Sequence, residues 1–424
     1  MNGRIIVIGG GPAGMMAAGR AAELGAHVLL LEKTARLGNK LRLTGGGRCN
    51  LTNVCPPAEF LRHLAPEGTF MRNALARFDA AALRAFFARH GLPTEVEDDG
   101  RVFPAGGNAH QVAETLRRYC LDGRVQFRYS SAVEAIEVAG GRAAGVRLAE
   151  HPLAAEAVIL ATGGCSYPAT GSTGDGFKLA ARLGHTISPP RAGLAPLVAA
   201  ETWARALQGL ALTDVGGTLR QGERVLAAGR GELLFTHFGV SGPLPLRLSL
   251  YLGDACKQGP VTLSLDLVPG VAADELDRRL QADLASAGKS GYHAFLRRWV
   301  PRSLAPALAA LSGVPAERRC SELAAAERRR LGVLLKRLDL TITRSRPLAE
   351  AMVTVGGVAC GEIVPQTMAS RRVAGLYFAG EIIDVAGDSG GYNLHVAFTT
   401  GRIAGESAAG QVLPAPPRAT AGQG

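Results

Sequence analysis

The residues with the most chemical capacity sit between Gly38 and Asn53, a run that reads GNKLRLTGGGRCNLTN. Gly45, Gly46 and Gly47 are consecutive, which costs backbone entropy on folding and puts main chain where a side chain would collide. Around them Lys40, Thr44, Arg48 and Asn50 offer donors suited to a planar, oxygen-rich ring or a phosphate. Cys49 lies between Arg48 and Asn50, either as a reactive thiol or as a small buried one. A second cluster lies near the C-terminus, where Asp384, Asp388, Gly390, Gly391, Tyr392 and Asn393 precede a helical stretch from Leu394 to Ala404. Backbone N–H groups at that helix start would stabilise an anion. Asp384 and Asp388 serve equally well as plain helix caps.

Donors of this kind need a frame, and the N-terminus supplies one. Arg4 to Ile8 is an apolar run ending in Gly9-Gly10-Gly11-Pro12-Ala13-Gly14. Pro12 suits the first turn of a helix, Ala13 to Leu24 continues it, and Gly25 can stop it. His27 to Leu31 is a second apolar run that closes on Glu32, 18 residues after Gly14. A GxGxxG run is weak alone but specific between a strand and a helix with an acidic residue at this distance. Gly9 permits the tight turn, Gly11 lets a pyrophosphate approach, Gly14 brings helix and strand together, and Glu32 accepts from ribose hydroxyls. Ala161-Thr162-Gly163-Gly164 after the strand Ala157–Leu160, and Gly375-Leu376-Tyr377-Phe378-Ala379-Gly380-Glu381 near the end, turn the dinucleotide into FAD. With FAD in place, the helix start near Gly390 would face the pyrimidine end of the flavin and favour its anionic reduced form.

The 424 residues, net charge of +11 and pI near 9.7 suggest two or three domains. The charge fits either a polyanion such as RNA or an Arg-rich compositional bias. Seven scattered cysteines without a CxxC pair predict reduced thiols, no metal site and a cytoplasmic location. No signal peptide or apolar run long enough to span a membrane is visible. The middle of the N-terminal region predicts helices over Ala74–Arg89 and Gln111–Cys120, then short strands. The expected layout is an FAD domain over 1–190 and 346–412, a barrel-like insert over 191–270, a helical insert over 271–345 and a disordered tail from 413. The helical insert, over Val271 to Leu340, has thirteen Lys/Arg against eight Asp/Glu.

GNKLRLTGGGRCNLTN, SYPATGSTGDGFKLA (166–180), LFTHFGVSGP (234–243) and GLYFAGEIIDVAGDSGGYNLHVAFTTG (375–401) resemble the BaiN/RdsA-like NAD(P)/FAD-dependent oxidoreductases. The resemblance runs from Ile5 to about Gly405 and is weakest between Ala272 and Arg337. It implies an α/β fold: a Rossmann-like FAD domain of glutathione-reductase type, formed by both chain ends, with an inserted β-barrel and helical unit. It also implies a cofactor-facing set: Gly9, Gly11, Pro12, Ala13, Gly14, Glu32, Lys33, Lys40, Thr44, Gly46, Gly47, Arg48, Val133, Ala161, Thr162, Gly163, Gly164, Gly380, Glu381, Asp384, Gly390, Gly391, Tyr392, Asn393 and Leu394. The family usually carries Gln where this chain has His395 and Thr where it has Ser389.

Family members include bile-acid ene-reductases and ribosomal RNA dihydrouridine synthases, and some are labelled aminoacetone oxidases. The implied chemistry is hydride transfer from reduced flavin to an activated C=C, with protonation of the neighbouring carbon. The residues leave the electron donor open, with NADH or NADPH compatible as the reductant. Cys49 is the first expected acid, with His395 and Tyr392 as alternatives, Arg48 and Asn50 polarising a carbonyl, and His237 of the barrel either joining them or purely structural. The substrate is expected to be an rRNA uridine or a small enone or amine, with a non-catalytic flavin-binding module as the remaining reading. The expectations include no metal and no membrane, and they are compatible with a monomer.

Overall fold

Four successive apolar residues, Ile5 to Ile8, have no polar face to offer water. They are buried on both sides as the central strand Arg4–Ile8 of a seven-stranded sheet. Such continuous runs are the mark of parallel sheets covered on both faces. The structure is a computed structural model and describes residues 4–149 and 151–413. The central strand pairs in parallel with His27–Leu31 (Ile5 opposite Val28) and with Ala157–Leu160 (Ile5 opposite Ala157). Leu376–Phe378 extends the sheet beyond Ala157–Leu160, and Gln126–Arg128 extends it beyond His27–Leu31. The two chain ends thus share one sheet, in a unit formed from the described residues up to Gly193 and from Leu348 onward.

Helix Pro12–Glu23 follows the first strand and ends at Leu24, with Gly25 in the left-handed region (φ 99°). Against it lies the long helix Gly390–Val412. A Cβ on Gly401 would stand 2.3 Å from the Ala13 carbonyl oxygen, and one on Gly405 2.3 Å from that of Ala17. These glycines, one helical turn apart, let the two backbones touch. Gly390 and Gly391, expected to precede the helix, are its first residues instead.

The stretch expected to be one helix over Ala74–Arg89 is two, Arg72–Arg77 and Ala80–Arg89. Asp79 breaks it: its side chain accepts from the Ala82 N–H at 2.8 Å and starts a new helix. The break leaves the Phe78 carbonyl without a helical partner. Thr399 donates to it at 3.1 Å, and His395 Nε2 lies 3.0 Å away.

The second unit spans Leu194–Pro347. Its closed barrel has the strand order Leu197–Ala199, Gly239–Ser241, Arg224–Thr236, Ala211–Gln221, Val261–Asp266 and Leu338–Ser345. Leu338, Leu340 and Ile342 are buried while Asp339 and Thr341 between them are exposed, the period of two that defines a half-buried strand. The basic segment expected to be helical to Leu340 therefore gives its end to the barrel. Its helices Ala273–Ala287, Ala305–Ser312 and Ala325–Lys336 share one apolar core with the strands. The tail expected to be disordered falls, from residue 414 on, outside the described residues.

Candidate active site

The fingerprint turn is shaped by collisions that only glycine avoids. A Cβ on Gly14 would lie 1.9 Å from the Gly9 oxygen, and one on Gly9 (φ 105°) would lie 2.5 Å from the Ala161 oxygen. Gly11 differs: nothing stands within 4 Å of its virtual Cβ, and it opens onto a cavity of about 550 Å³. That volume lies in the range of cofactor pockets, roughly 300–1,000 Å³. Glu32 braces the turn, accepting the Gly10 N–H through Oε2 and the Thr34 N–H and hydroxyl through Oε1, each at 2.8 Å. A carboxylate has about four acceptor positions, so capacity remains for a ribose hydroxyl. Lys33 beside it is paired with Asp175 at 2.5 Å.

The second half of the chain closes the cavity. Gly164 has no room for a side chain: its Cβ would meet Thr354 Oγ1 at 2.3 Å and Glu381 Cδ at 3.2 Å. Glu381 takes the Thr354 N–H at 2.7 Å and pairs with Lys40, whose Nζ lies 2.7 Å from Oε2 and 2.6 Å from Ser166 Oγ. Both charged groups line the cavity, as do Pro12, Ala13, Val133, Ala161, Thr162, Gly163 and Gly380.

Two helix starts open on this one cavity. Neither Gly11, ahead of Pro12–Glu23, nor Ser389, ahead of Gly390–Val412, provides a side-chain cap. Gly390 meets nothing within 4 Å of a virtual Cβ. Free N–H groups at a helix start are a site for negative charge. Two such starts, an open glycine and an acidic residue after the second strand fit FAD, with its pyrophosphate and its anionic reduced ring.

The loop Leu41–Gly47 forms the adjoining wall. Gly45, Gly46 and Gly47 have φ of 57°, 63° and 94°, and Cys49 is itself left-handed at 66°. That turn sends alternate side chains opposite ways. Thr44, Arg48 and Asn50 line the cavity; Cys49 is fully buried behind it. Arg48 lies over the Phe103 ring at 4.1 Å and pairs with Glu97 at 2.5 Å.

Three expected acids stand off the cavity wall. Cys49 is fully buried away from the cavity, and burial pushes its thiol up to about 12. His395 is 0% exposed, sits between Thr52 Oγ1 at 2.6 Å and the Phe78 carbonyl, and burial lowers it to about 4. It is a neutral histidine that satisfies a broken helix. Tyr392 stacks on His63 (4.4 Å between rings), with its hydroxyl 3.7 Å from Cys55 Sγ and its acidity weakened by burial. Asn393 and Leu394 reach the cavity wall; Gly14, Gly47, Gly164, Asp384, Gly391 and Tyr392 stand behind it. His237 lies in the barrel unit, edge-on to Phe238. Tyr167, Phe103, Arg101, Leu43 and Met352 line the cavity without having been expected. Two of them carried a signal, Leu43 inside the 38–53 run and Tyr167 inside the 166–180 run. Among the described residues no group of acidic, His or Cys side chains could hold a metal, and no helix is long and apolar enough to cross a membrane.

Fold and site together define an FAD-binding oxidoreductase of Rossmann type. The HI0933-like protein Rossmann domain model matches residues 3–407, and the chain belongs to that family. It is 34% identical over 410 residues to the 3-dehydro-bile acid delta(4,6)-reductase of Clostridium scindens, covering 96% of this chain and 99% of the relative. It is 31% identical over 396 residues to the ribosomal RNA dihydrouridine synthase of Escherichia coli, covering 93% and 95%. Among solved structures, a 3-ketosteroid-delta4-(5alpha)-dehydrogenase from Rhodococcus jostii shares the fold, at TM-score 0.53 and 14% identity over 96% of this chain and 97% of that one.

Proposed function

We propose that this protein reduces a ring C=C conjugated to a carbonyl, using electrons from NADH or NADPH. The names of both relatives describe saturation of such a bond. The observation that carries the reading is the shared wall on which Arg48, Asn50 and the open Gly390 helix start meet the fingerprint. Reduced FAD, when bound, supplies a hydride donor at N5. Arg48 hydrogen-bonds the substrate carbonyl and draws charge from the carbon that receives hydride. The uncapped N–H groups after Ser389 favour negative charge at their end of the cavity. Tyr167, on the wall in a left-handed backbone position (φ 51°), gives the proton to the adjacent carbon, a role open to it because Cys49, His395 and Tyr392 turn away. Seven free cysteines suit work in the reducing cytoplasm.

The preferred substrate is a small ring enone. Leu43 and Met352, 58% and 46% exposed, line the cavity and give it an apolar rim. A second reading, uridine in ribosomal RNA, is favoured by the +11 charge and the exposed Arg297, Arg298 and Arg302. Anaerobic bleaching of the flavin by NADH or NADPH, followed by cyclohexenone or unmodified ribosomal RNA, separates them. Reoxidation by the enone supports the preferred reading, and reoxidation by RNA alone moves the function to the second. No bleaching and no reoxidation would sink both.

A further inference from the structure

The helix Gly390–Val412 starts without a side-chain cap although an acid stands just before it. Asp388 precedes Ser389, and an aspartate at that place readily accepts from the N–H two residues on, here that of Gly390. Instead, Asp388 Oδ2 lies 2.8 Å from His63 Nδ1, and the Asp388 N–H donates to the His63 carbonyl at 2.9 Å. A carboxylate only accepts, so Nδ1 carries the proton of that bond whichever charge the ring holds.

His63 is itself held in place. It follows helix Pro57–Arg62, and its ring lies 4.4 Å from that of Tyr392 at an interplanar angle of 11°. The next residues, Leu64–Pro66, run antiparallel to Val385–Gly387, with Ala65 opposite Ala386. From the helix side, Asn393 grips the same segment. Its Nδ2 donates to the Gly387 and Ser389 carbonyls at 2.8 Å each, and its Oδ1 accepts the Gly387 N–H at 2.9 Å. Gly387 leaves no room for a side chain, since a Cβ there would stand 2.5 Å from Tyr392 Cβ. Ser389, Gly390 and Asn393 line the cavity; His63 and Asp388 stand outside its wall.

Released from His63, the acid would occupy the Gly390 N–H and set negative charge against the positive end of the helix. Both effects oppose an anion in the cavity. The geometry points to His63 as a positioning residue: by holding Asp388 aside, it keeps the Gly390 helix start open to an anionic group. The inference rests on the cavity being the flavin site. It adds a residue outside the wall that sets how strongly the site favours the reduced, anionic ring.

Full-length His63→Phe, His63→Asn and the double variant His63→Phe with Asp388→Asn test it. Phe keeps a ring against Tyr392 but loses the donor, Asn keeps a donor near the place of Nδ1, and the double variant also removes the released charge. The readouts are the two-electron potential of bound FAD and crystal structures of the cofactor-free proteins. His63→Phe is expected to bring the Asp388 carboxylate onto the Gly390 N–H. It should also lower the potential by about 30 mV, a tenfold loss in preference for the reduced form. His63→Asn and the double variant should keep the parent potential. His63→Ala replaces His63→Phe if the latter does not fold, with the same expectations. The inference is overturned if the potential does not move in His63→Phe, or if the double variant falls as far as the single one, as a merely structural role would require. It is equally overturned if Asp388 stays off the helix start in the His63→Phe crystal. Failure of the parent to retain FAD would strike the flavin assignment, and the crystal comparison would still decide the role of His63.

Discussion

Two glycine-rich segments line the same cavity, and they use glycine for opposite reasons. In the fingerprint, Gly9 and Gly14 are glycine because a Cβ would lie 2.5 Å or 1.9 Å from a carbonyl oxygen. In the loop after Thr44, Gly46 and Gly47 meet nothing within 4 Å, and what they supply is a positive φ. The first wall is fixed by contact and the second by conformation. A contact-fixed turn fails when it is filled; a conformation-fixed turn tolerates a side chain at the cost of strain. The second wall also decides which of its neighbours face the ligand, because one left-handed residue reverses the order of the side chains.

The largest expected effect is therefore on the contact side. Gly14→Ala forces the helix away from Gly9 and should weaken FAD binding by about a hundredfold, equivalent to roughly 3 kcal/mol; titration of the cofactor-free protein with FAD measures it. Retention of full affinity would break the comparison.

Behind the second wall, His395 offers an effect of similar size that appears only in acid. Its folded value of about 4 lies below the ordinary 6.5, so the unfolded chain binds the extra proton first. Its contribution is complete above pH 6.5 and is lost as the pH falls towards 4. His395→Gln should remove this loss, about 3 kcal/mol at most, from the parent-minus-variant stability between those limits. Denaturant unfolding at several pH values reads it directly, and a pH-independent difference would contradict a buried neutral histidine.

Gly47→Ala comes next. No protein atom lies within 4 Å of the methyl group and Gly47 stands behind the cavity wall, so only the left-handed φ of 94° opposes it, at roughly 1–2 kcal/mol of stability, and FAD affinity should stay within a few-fold of the parent. A loss as large as that of Gly14→Ala would show that the loop is fixed by contact after all. The smallest effect belongs to Cys49→Ala: with the thiol buried away from the cavity, turnover should remain within about twofold. A collapse of turnover with FAD still bound would restore the thiol as an acid.

Much of this was legible in the residues. The apolar runs Ile5–Ile8 and His27–Leu31, the GxGxxG spacing and Glu32 marked the frame and the nucleotide end of the cavity because each follows from local pattern. Gly401 and Gly405 were not legible: their reason is the backbone of Ala13 and Ala17, nearly four hundred residues away in the chain. Nor was His395, whose partner is a carbonyl freed by a helix break at Asp79. Cys49 could be read from its donor-rich loop either as a reactive thiol or as a small buried one, and the backbone dihedral that turns it inward is invisible in the residue type. The barrel strand Leu338–Ser345 was readable in its alternation but was obscured by the arginines that precede it.

The most direct measurement is a single turnover without oxygen. Protein with its flavin fully reduced is mixed with excess cyclohexenone, and flavin absorbance and product are followed together. The account expects one saturated ketone for each flavin oxidised. Flavin that stays reduced until air is admitted, with the enone recovered unchanged and unmodified ribosomal RNA equally inert, would contradict it.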